Sequence, residues 1–208
     1  MKQNRIFYFI VKNFFKILLK IYNRCSVEWL YNLKPDDHVI IACNHVSYLD
    51  PLIAGCFFPR QLKYLAKIEL FKFWPFKIAI EALGAVPVSR ESGNSAAGAL
   101  KGFMKLYREG NDVLIFPEGG RSPDGKLQIL EAGVGLIAAH EHAPILPAFI
   151  HGAFKAMPTG AFFVKPAKIK ITFGKLIKLD EQEYLKRDAR EIIMKKLNEA
   201  FRELEERN

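Results

Sequence analysis

The chain has 208 residues, half of them hydrophobic and a quarter charged, which suits one domain with a sizeable core and excludes a disordered chain. Lysine and arginine number 31 against 22 acidic residues, and the net charge of +9 favours anionic partners such as nucleic acid or anionic lipid. Three cysteines, Cys25, Cys43 and Cys56, in no metal-like or CxxC spacing, predict free thiols in a reducing compartment.

Residues 5 to 32 read as one or two helices, greasy along Ile6 to Val11 and basic at Lys12, Lys16, Lys20 and Arg24, every fourth residue. Thirteen apolar side chains lie between residues 6 and 22. Two central lysines, at about 2.5 to 3.5 kcal/mol each, cancel most of what those side chains gain on insertion. The longest unbroken apolar run is six residues, against roughly twenty needed to span a bilayer. The segment is therefore expected to lie in a membrane interface, lysines toward headgroups and aromatics toward acyl chains. An amphipathic helix packed on the protein's own core is the alternative. No long apolar core or small-residue cleavage site follows the basic start, so no secretory signal is expected.

Val39 to Ala42 is a short, β-branched run after Asp36-Asp37 and predicts a buried strand. It empties into Cys43-Asn44-His45-Val46-Ser47-Tyr48-Leu49-Asp50-Pro51, which puts His45 where open α/β sheets hold ligands. Asp50 before Pro51 predicts a helix N-cap. Two readings stand together here. The carboxylate folds back onto the imidazole and leaves its other nitrogen free as a base, or the Asp only caps a helix and the His only fills a turn.

Lys63 to Ala66 predicts a second strand, with Lys67 to Phe71 as its outlet. Phe71 to Ile80 is rich in aromatics, with Phe73, Trp74, Pro75 and Phe76, and is either core or a second membrane-dipping surface. Gly84 to Val88 reads as a strand ending in Ser89-Arg90, and 95 to 109 as a helix with Leu100, Phe103, Met104 and Tyr107 on one face. Val113 to Phe116 predicts another strand, emptying into Pro117-Glu118-Gly119-Gly120-Arg121-Ser122. Two strands ending in polar loops suggest one shared crevice. A short helix over 131 to 140 and a strand over 145 to 150 follow. Period-two alternation predicts a strand over 168 to 173 with one solvated face, and 181 to 205 reads as a single surface helix. Alternating strands and helices predict an α/β fold, a mostly parallel sheet flanked by helices.

His140-Glu141-His142 lacks HExxH spacing and ends at Ala143-Pro144, so it reads as a polar helix end rather than a metal site. There is no GxSxG, no P-loop and no recognised nucleic-acid motif.

Asn44 to Asp50 resembles the NHxxxxD box of the phospholipid/glycerol acyltransferase family, and Phe116 to Ser122 is similar to its FPEGTRS box. Leu83 to Arg90 and Ala143 to Pro147 match two further blocks, in family order, across residues 38 to 150. The nearest resemblance is to bacterial lysophosphatidic acid acyltransferases. It implies an N-terminal amphipathic membrane-anchoring segment, 1–34, and an acyltransferase domain, 35–208. The reaction implied is transfer from an acyl thioester, acyl-CoA or acyl carrier protein, to the sn-2 hydroxyl of lysophosphatidic acid. Another lysophospholipid or glycerol 3-phosphate is the variant acceptor, and a basic lipid-binding protein without activity is the alternative from another class. His45 would be the general base and Asp50 its orienting partner, with no acyl-enzyme.

Substrate contacts would come from Lys67, in an AKxEL-like element, and from Arg90, Glu118, Gly119, Gly120 and Arg121. A solvated lysine is the other reading of Lys67. The two arginines would clamp the acceptor phosphate, and Glu118 would face the glycerol or hold an arginine. The amides around Gly119-Gly120 are either oxyanion donors or parts of a tight turn. No metal, no cofactor beyond the acyl donor and no nucleic acid is implied, and the expected location is the cytoplasmic face of a bacterial inner membrane, with an anionic membrane surface as partner. Three positions depart from the family pattern: Gly120 stands where Thr is commonest, Ser89 where an acid is frequent, and Leu130-Glu131-Ala132-Gly133 lacks a usual lysine.

Overall fold

Ile40 to Cys43 have no exposed surface because both of their faces are covered. Ile41 and Cys43 pack into one apolar layer and Ile40 and Ala42 into the other, as the alternation of side chains along a strand demands. This strand, β2, is the centre of a computed structural model that describes residues 5–72, 74–88 and 96–207. Before it come α1 (Arg5–Tyr22) and β1 (Ser26–Trp29). After it come α2 (Asp50–Phe57), β3 (Leu62–Lys67), a 3-10 turn (Ile68–Phe71), α3 (Trp74–Ala82), β4 (Ala85–Val88), α4 (Ala96–Arg108) and β5 (Asp112–Ile115). The chain ends with α5 (Gly133–Glu141), β6 (Ile145–His151), α6 (Ala153–Ala156), β7 (Lys170–Phe173), α7 (Glu181–Tyr184) and α8 (Ala189–Glu205).

The sheet runs β1-β7-β6-β2-β5-β3-β4, and only the β6 and β7 pair is antiparallel. One face carries α1, α2 and α3 through Leu19, Ile53, Phe57 and Ile80, and the other carries α4, α5 and α8 through Leu106, Ile137 and Phe201. The chain leaves β5 on one side of β2 and returns as β6 on the other, so a crevice opens above the carboxyl end of β2.

Four expectations change. Residues 26–29 are a strand paired with β7, not helix, so the segment before residue 35 is built into the sheet. The pairing also covers β7: Ile171, Thr172 and Phe173 are all buried, and Trp29 stacks on Phe173 at 4.0 Å, so neither face of that strand is solvated. The expected helix over 181–205 is two, with Leu185 exposed between them and α7 started by a reciprocal Asp180–Glu183 capping box.

The fourth change is the orientation of α1. Its lysines at 12 and 16 turn inward: Lys12 is 8% exposed and its Nζ donates to the carbonyls of Phe58 (2.5 Å) and Pro59 (3.3 Å), while Lys16 sits over the Phe57 ring. A cation on the carboxyl end of α2 is well placed against the dipole. Ile6, Phe9, Ile10, Phe14, Ile17 and Ile21 point outward, each more than half exposed. In the aromatic stretch, Leu70 and Phe71 pack on the core while Trp74 and Ile78 are exposed. Phe73 and the side chains of Pro75 and Phe76 lie outside the described residues.

Candidate active site

The loop from β2 to α2 is drawn together by one carboxylate oxygen. Asp50 Oδ2 accepts from the amides of Val46 (2.6 Å) and Ser47 (2.7 Å) and lies 2.9 Å from His45 Nδ1. Asp50 is the first residue of α2, and Leu49, at the cap position, makes no side-chain bond. The carboxylate therefore closes the loop instead of capping the helix, because it is aimed back at amides that precede it. Its side chain is wholly buried while that of His45 keeps 17% exposure. Burial pushes the Asp50 carboxyl above the usual carboxylate range, opposed by its bonds to His45, Ser47 and Val46. With Nδ1 facing Asp50, Nε2 of His45 has no hydrogen bond among the described residues. The ring stacks on Phe116 with centroids 4.0 Å apart, which fixes its plane.

Glu118 holds no arginine among the described residues. Its Oε1 accepts from the His45 amide at 2.6 Å and its Oε2 from the Gln128 amide at 2.8 Å, so it joins the loop after β2 to the loop after β5. The Ser122 amide donates to the His45 carbonyl at 2.8 Å and closes the same junction. Burial raises the Glu118 carboxyl, against those two amide bonds. The Gly119 amide is spent on the Phe116 carbonyl, and its φ of +69° identifies the turn that needs glycine. Gly120 carries no such bond among the described residues, so its amide is the one of the pair without a backbone partner there.

Arg121 lies flat on Tyr48, its guanidinium carbon 3.5 Å from the ring centroid, with one terminal nitrogen buried and unpartnered among the described residues. Tyr48 is half exposed, so the pair stands beside His45 at the crevice mouth. Lys67 is exposed at the carboxyl end of β3, on the same edge of the sheet but separated from β2 by β5. Ser89 and Arg90 lie outside the described residues. His140 and His142 end α5 and face Glu141 and Glu181, each at 2.9 Å, with Glu141 held also by Arg108.

Three contributors carried no signal in the spacing. Tyr48 is read as one more aromatic until Arg121 is seen on it. Asn44 both donates to and accepts from the Ile150 backbone, at 3.1 and 2.7 Å, tying β2 to β6. Ser47 Oγ donates to the Met157 carbonyl at 2.7 Å, which fixes the far wall.

A family model described as Acyltransferase matches residues 24–151. The chain is 31% identical over 195 residues to the 1-acyl-sn-glycerol-3-phosphate acyltransferase of Bacillus subtilis, covering 93% of this chain and 94% of that one. It is 28% identical to the chloroplastic 1-acyl-sn-glycerol-3-phosphate acyltransferase of Brassica napus, over 94% of this chain and 57% of the plant protein, and so spans little more than half of that relative. The crystal structure of the 1-acyl-sn-glycerophosphate acyltransferase PlsC from Thermotoga maritima superposes with a TM-score of 0.69 at 24% identity, over 92% of this chain and 78% of that one, and shares the fold.

Proposed function

Because the chain belongs to the Acyltransferase family, we propose that it moves an acyl group from a long-chain acyl thioester to the sn-2 hydroxyl of lysophosphatidic acid, giving phosphatidic acid. The observation that carries this reading is the 2.9 Å contact between His45 Nδ1 and the buried Asp50, which leaves Nε2 to act as base. Nε2 takes the acceptor's hydroxyl proton as the oxygen attacks the thioester carbonyl. The tetrahedral intermediate is met by the Gly120 amide. Its collapse breaks the carbon–sulfur bond, and the proton on His45 passes to the departing thiolate. Asp50 steadies the imidazolium in between.

Transfer is direct in this scheme. The cysteine and serine that flank His45 in the chain are not accessible to an acyl group. Ser47 is wholly buried with its hydroxyl committed to Met157. Cys43 is buried and its thiol is pushed well above the ordinary range by desolvation, which leaves it inert as a nucleophile. Arg121, already unpaired on one nitrogen, would meet the acceptor phosphate, with Lys67 and Arg90 as further cations.

The acceptor and product are amphiphiles, and the outer face of α1 supports a membrane-surface location. No described helix is long and apolar enough to cross a membrane. The outward residues Phe9, Ile10, Phe14 and Ile17 suit an interfacial helix that Lys12 and Lys16 fasten to the protein rather than to headgroups. We place the enzyme as a monotopic protein on the cytoplasmic face of its membrane. Ile10→Ser/Phe14→Ser/Ile17→Ser, which spares Lys12 and Leu19, is expected to weaken sedimentation with anionic vesicles by at least about tenfold.

Thiol release from a long-chain acyl-CoA tests the chemistry. It is expected to depend on lysophosphatidic acid and to vanish in His45→Ala. Equal release by wild type and variant would falsify the enzyme reading. Glycerol 3-phosphate and other lysophospholipids as acceptors, and acyl carrier protein as donor carrier, complete the assay.

A further inference from the structure

The segment between α6 and β7 presents two adjacent phenyl rings with nothing over them: Phe162 is 91% exposed and Phe163 82%. Paired rings in water at a loop tip mark a surface meant for a partner. The loop is anchored on both sides. Toward the site, Met157 receives the Ser47 hydroxyl at 2.7 Å and Thr159 Oγ1 donates to the Ser122 carbonyl at 3.3 Å. Ser122 in turn is bonded to the His45 carbonyl. Toward α1, Tyr22 Oη donates to the Val164 carbonyl at 3.0 Å and Asn23 Nδ2 to the Lys165 carbonyl at 3.1 Å. The Lys165 amide closes the base of the loop on the Ala156 carbonyl at 2.8 Å. The rings are thus held between the catalytic loop and the end of the apolar face of α1, where Ile21 is 76% exposed.

The charge around them selects the partner. Lys155 on α6, Lys165 and Lys168 on this segment, and Lys20 and Arg24 at the end of α1, are exposed and form no ion pair among the described residues. A second copy of the chain would bring the same cations face to face. An anionic bilayer offers acyl chains to the rings and phosphates to the lysines. We propose that the Phe162-Phe163 loop inserts into the anionic membrane beside the site, as a second contact distinct from α1, and passes a membrane-borne acceptor to His45 without its acyl chain crossing water. The proposal rests on the membrane-surface reading above and adds to it the place where substrate enters.

The test uses the full chain and vesicles of phosphatidylglycerol and phosphatidylcholine, with and without bromine along the acyl chains. Trp74→Phe/Phe163→Trp is compared with Trp74→Phe alone. The added indole is expected to lose about half or more of its emission on the brominated vesicles only. Burying one ring strengthens partition by roughly tenfold or more, so Phe162→Ala/Phe163→Ala is expected to bind vesicles at least about tenfold less tightly. At dilute lipid it should turn over a vesicle-borne long-chain lysophosphatidate at least about tenfold more slowly, with a short-chain monomeric lysophosphatidate unaffected. An unquenched indole on a protein that still sediments with vesicles overturns the loop insertion alone. Failure of the wild type to sediment overturns the membrane reading with it. Equal relative rates of the double variant on the two acceptors overturn the role in delivery.

Discussion

Asp50→Asn separates the charge of the dyad from its geometry, because every donor around Asp50 converges on one oxygen. Val46, Ser47 and His45 all approach Oδ2, and Oδ1 is buried without a partner among the described residues. An asparagine with its carbonyl at the Oδ2 position keeps all three contacts, loses the charge and sets an NH₂ in place of the partnerless Oδ1. What disappears is attraction to the imidazolium. Two unit charges about 4 Å apart at an effective dielectric near 20 are worth about 4 kcal/mol, roughly three powers of ten in rate. Exchanging a charge-assisted hydrogen bond for a neutral one, about 1 kcal/mol, sets the lower bound near fivefold. We expect kcat to fall by roughly fivefold to a thousandfold, with the acceptor KM within about threefold. The loss of ~10⁴ seen in serine proteases on the same exchange comes from a wrong tautomer, and here the amide oxygen still accepts from Nδ1–H.

Stability is expected to move the other way in this variant. Burial holds the Asp50 carboxyl above its unfolded value, and such a group costs folding free energy once pH has risen through that window. At pH 7 the amide variant should melt no lower than wild type, and the difference should close as the pH is taken below the carboxyl's unfolded value. Thiol release gives the kinetics and calorimetry at two pH values gives the melting temperatures. A kcat within about threefold of wild type, or a melting point several degrees lower, would refute the reasoning.

Glu118→Gln leaves one of two backbone amides facing an NH₂ group, an unpaired buried donor worth about 1 to 3 kcal/mol; the melting point should drop by about 2 to 4 °C for each kcal/mol, and kcat with it. If Glu118 touched substrate instead, KM would move and the melting point would not. Tyr48→Leu removes the ring under Arg121 and should raise the acceptor KM by roughly fivefold to tenfold with kcat within about twofold, while Tyr48→Phe restores it; a failed rescue would point to the hydroxyl rather than the cation–π contact. Lys12→Met strips the donor from the Phe58 and Pro59 carbonyls and should cost about 1 to 2 kcal/mol by urea unfolding, with faster proteolysis inside α1. Desolvation draws Lys12 down to about 8, so wild-type stability should rise with pH between about 8 and 10.5, where the unfolded chain holds more protons than the folded one, and the variant should lack that rise.

The central strands were legible because burial on both faces leaves an unbroken apolar run: Ile40 to Cys43, Val113 to Ile115 and Ile145 to Ile150 need no partner to be recognised. β1 was not, because Ser26-Val27-Glu28-Trp29 at a sheet edge has one exposed polar side and follows a strong helical pattern without a break. The spacing of His45 and Asp50 left two readings open, a paired imidazole and carboxylate or a plain helix cap and turn, and the resemblance to the family box favoured the pairing that the 2.9 Å contact shows. The role of Glu118 was not. Sequence places a carboxylate in a loop but cannot say that two amides, those of His45 and Gln128, will occupy both of its oxygens.

The direction α1 faces shows where periodicity runs out. Lysines at 12, 16 and 20 mark one stripe of a helix whichever way it is turned, and an amphipathic pattern alone places the polar stripe in water. What turns it inward is a partner 46 residues away, the unpaired carbonyl end of α2, which a buried ammonium satisfies better than water reaching into the groove. Once Lys12 is committed there, the outward stripe of Phe9, Ile10, Phe14 and Ile17 is left more than half exposed among the described residues. The attraction of Lys12 and Lys16 for headgroups is then absent from the outer face, and what that face offers a membrane is mainly apolar area. Salt should accordingly weaken vesicle binding through the lysines around Phe162-Phe163 and at the end of α1, and leave a residual, salt-insensitive affinity that belongs to α1. Binding that vanished completely in high salt would contradict this orientation of the helix.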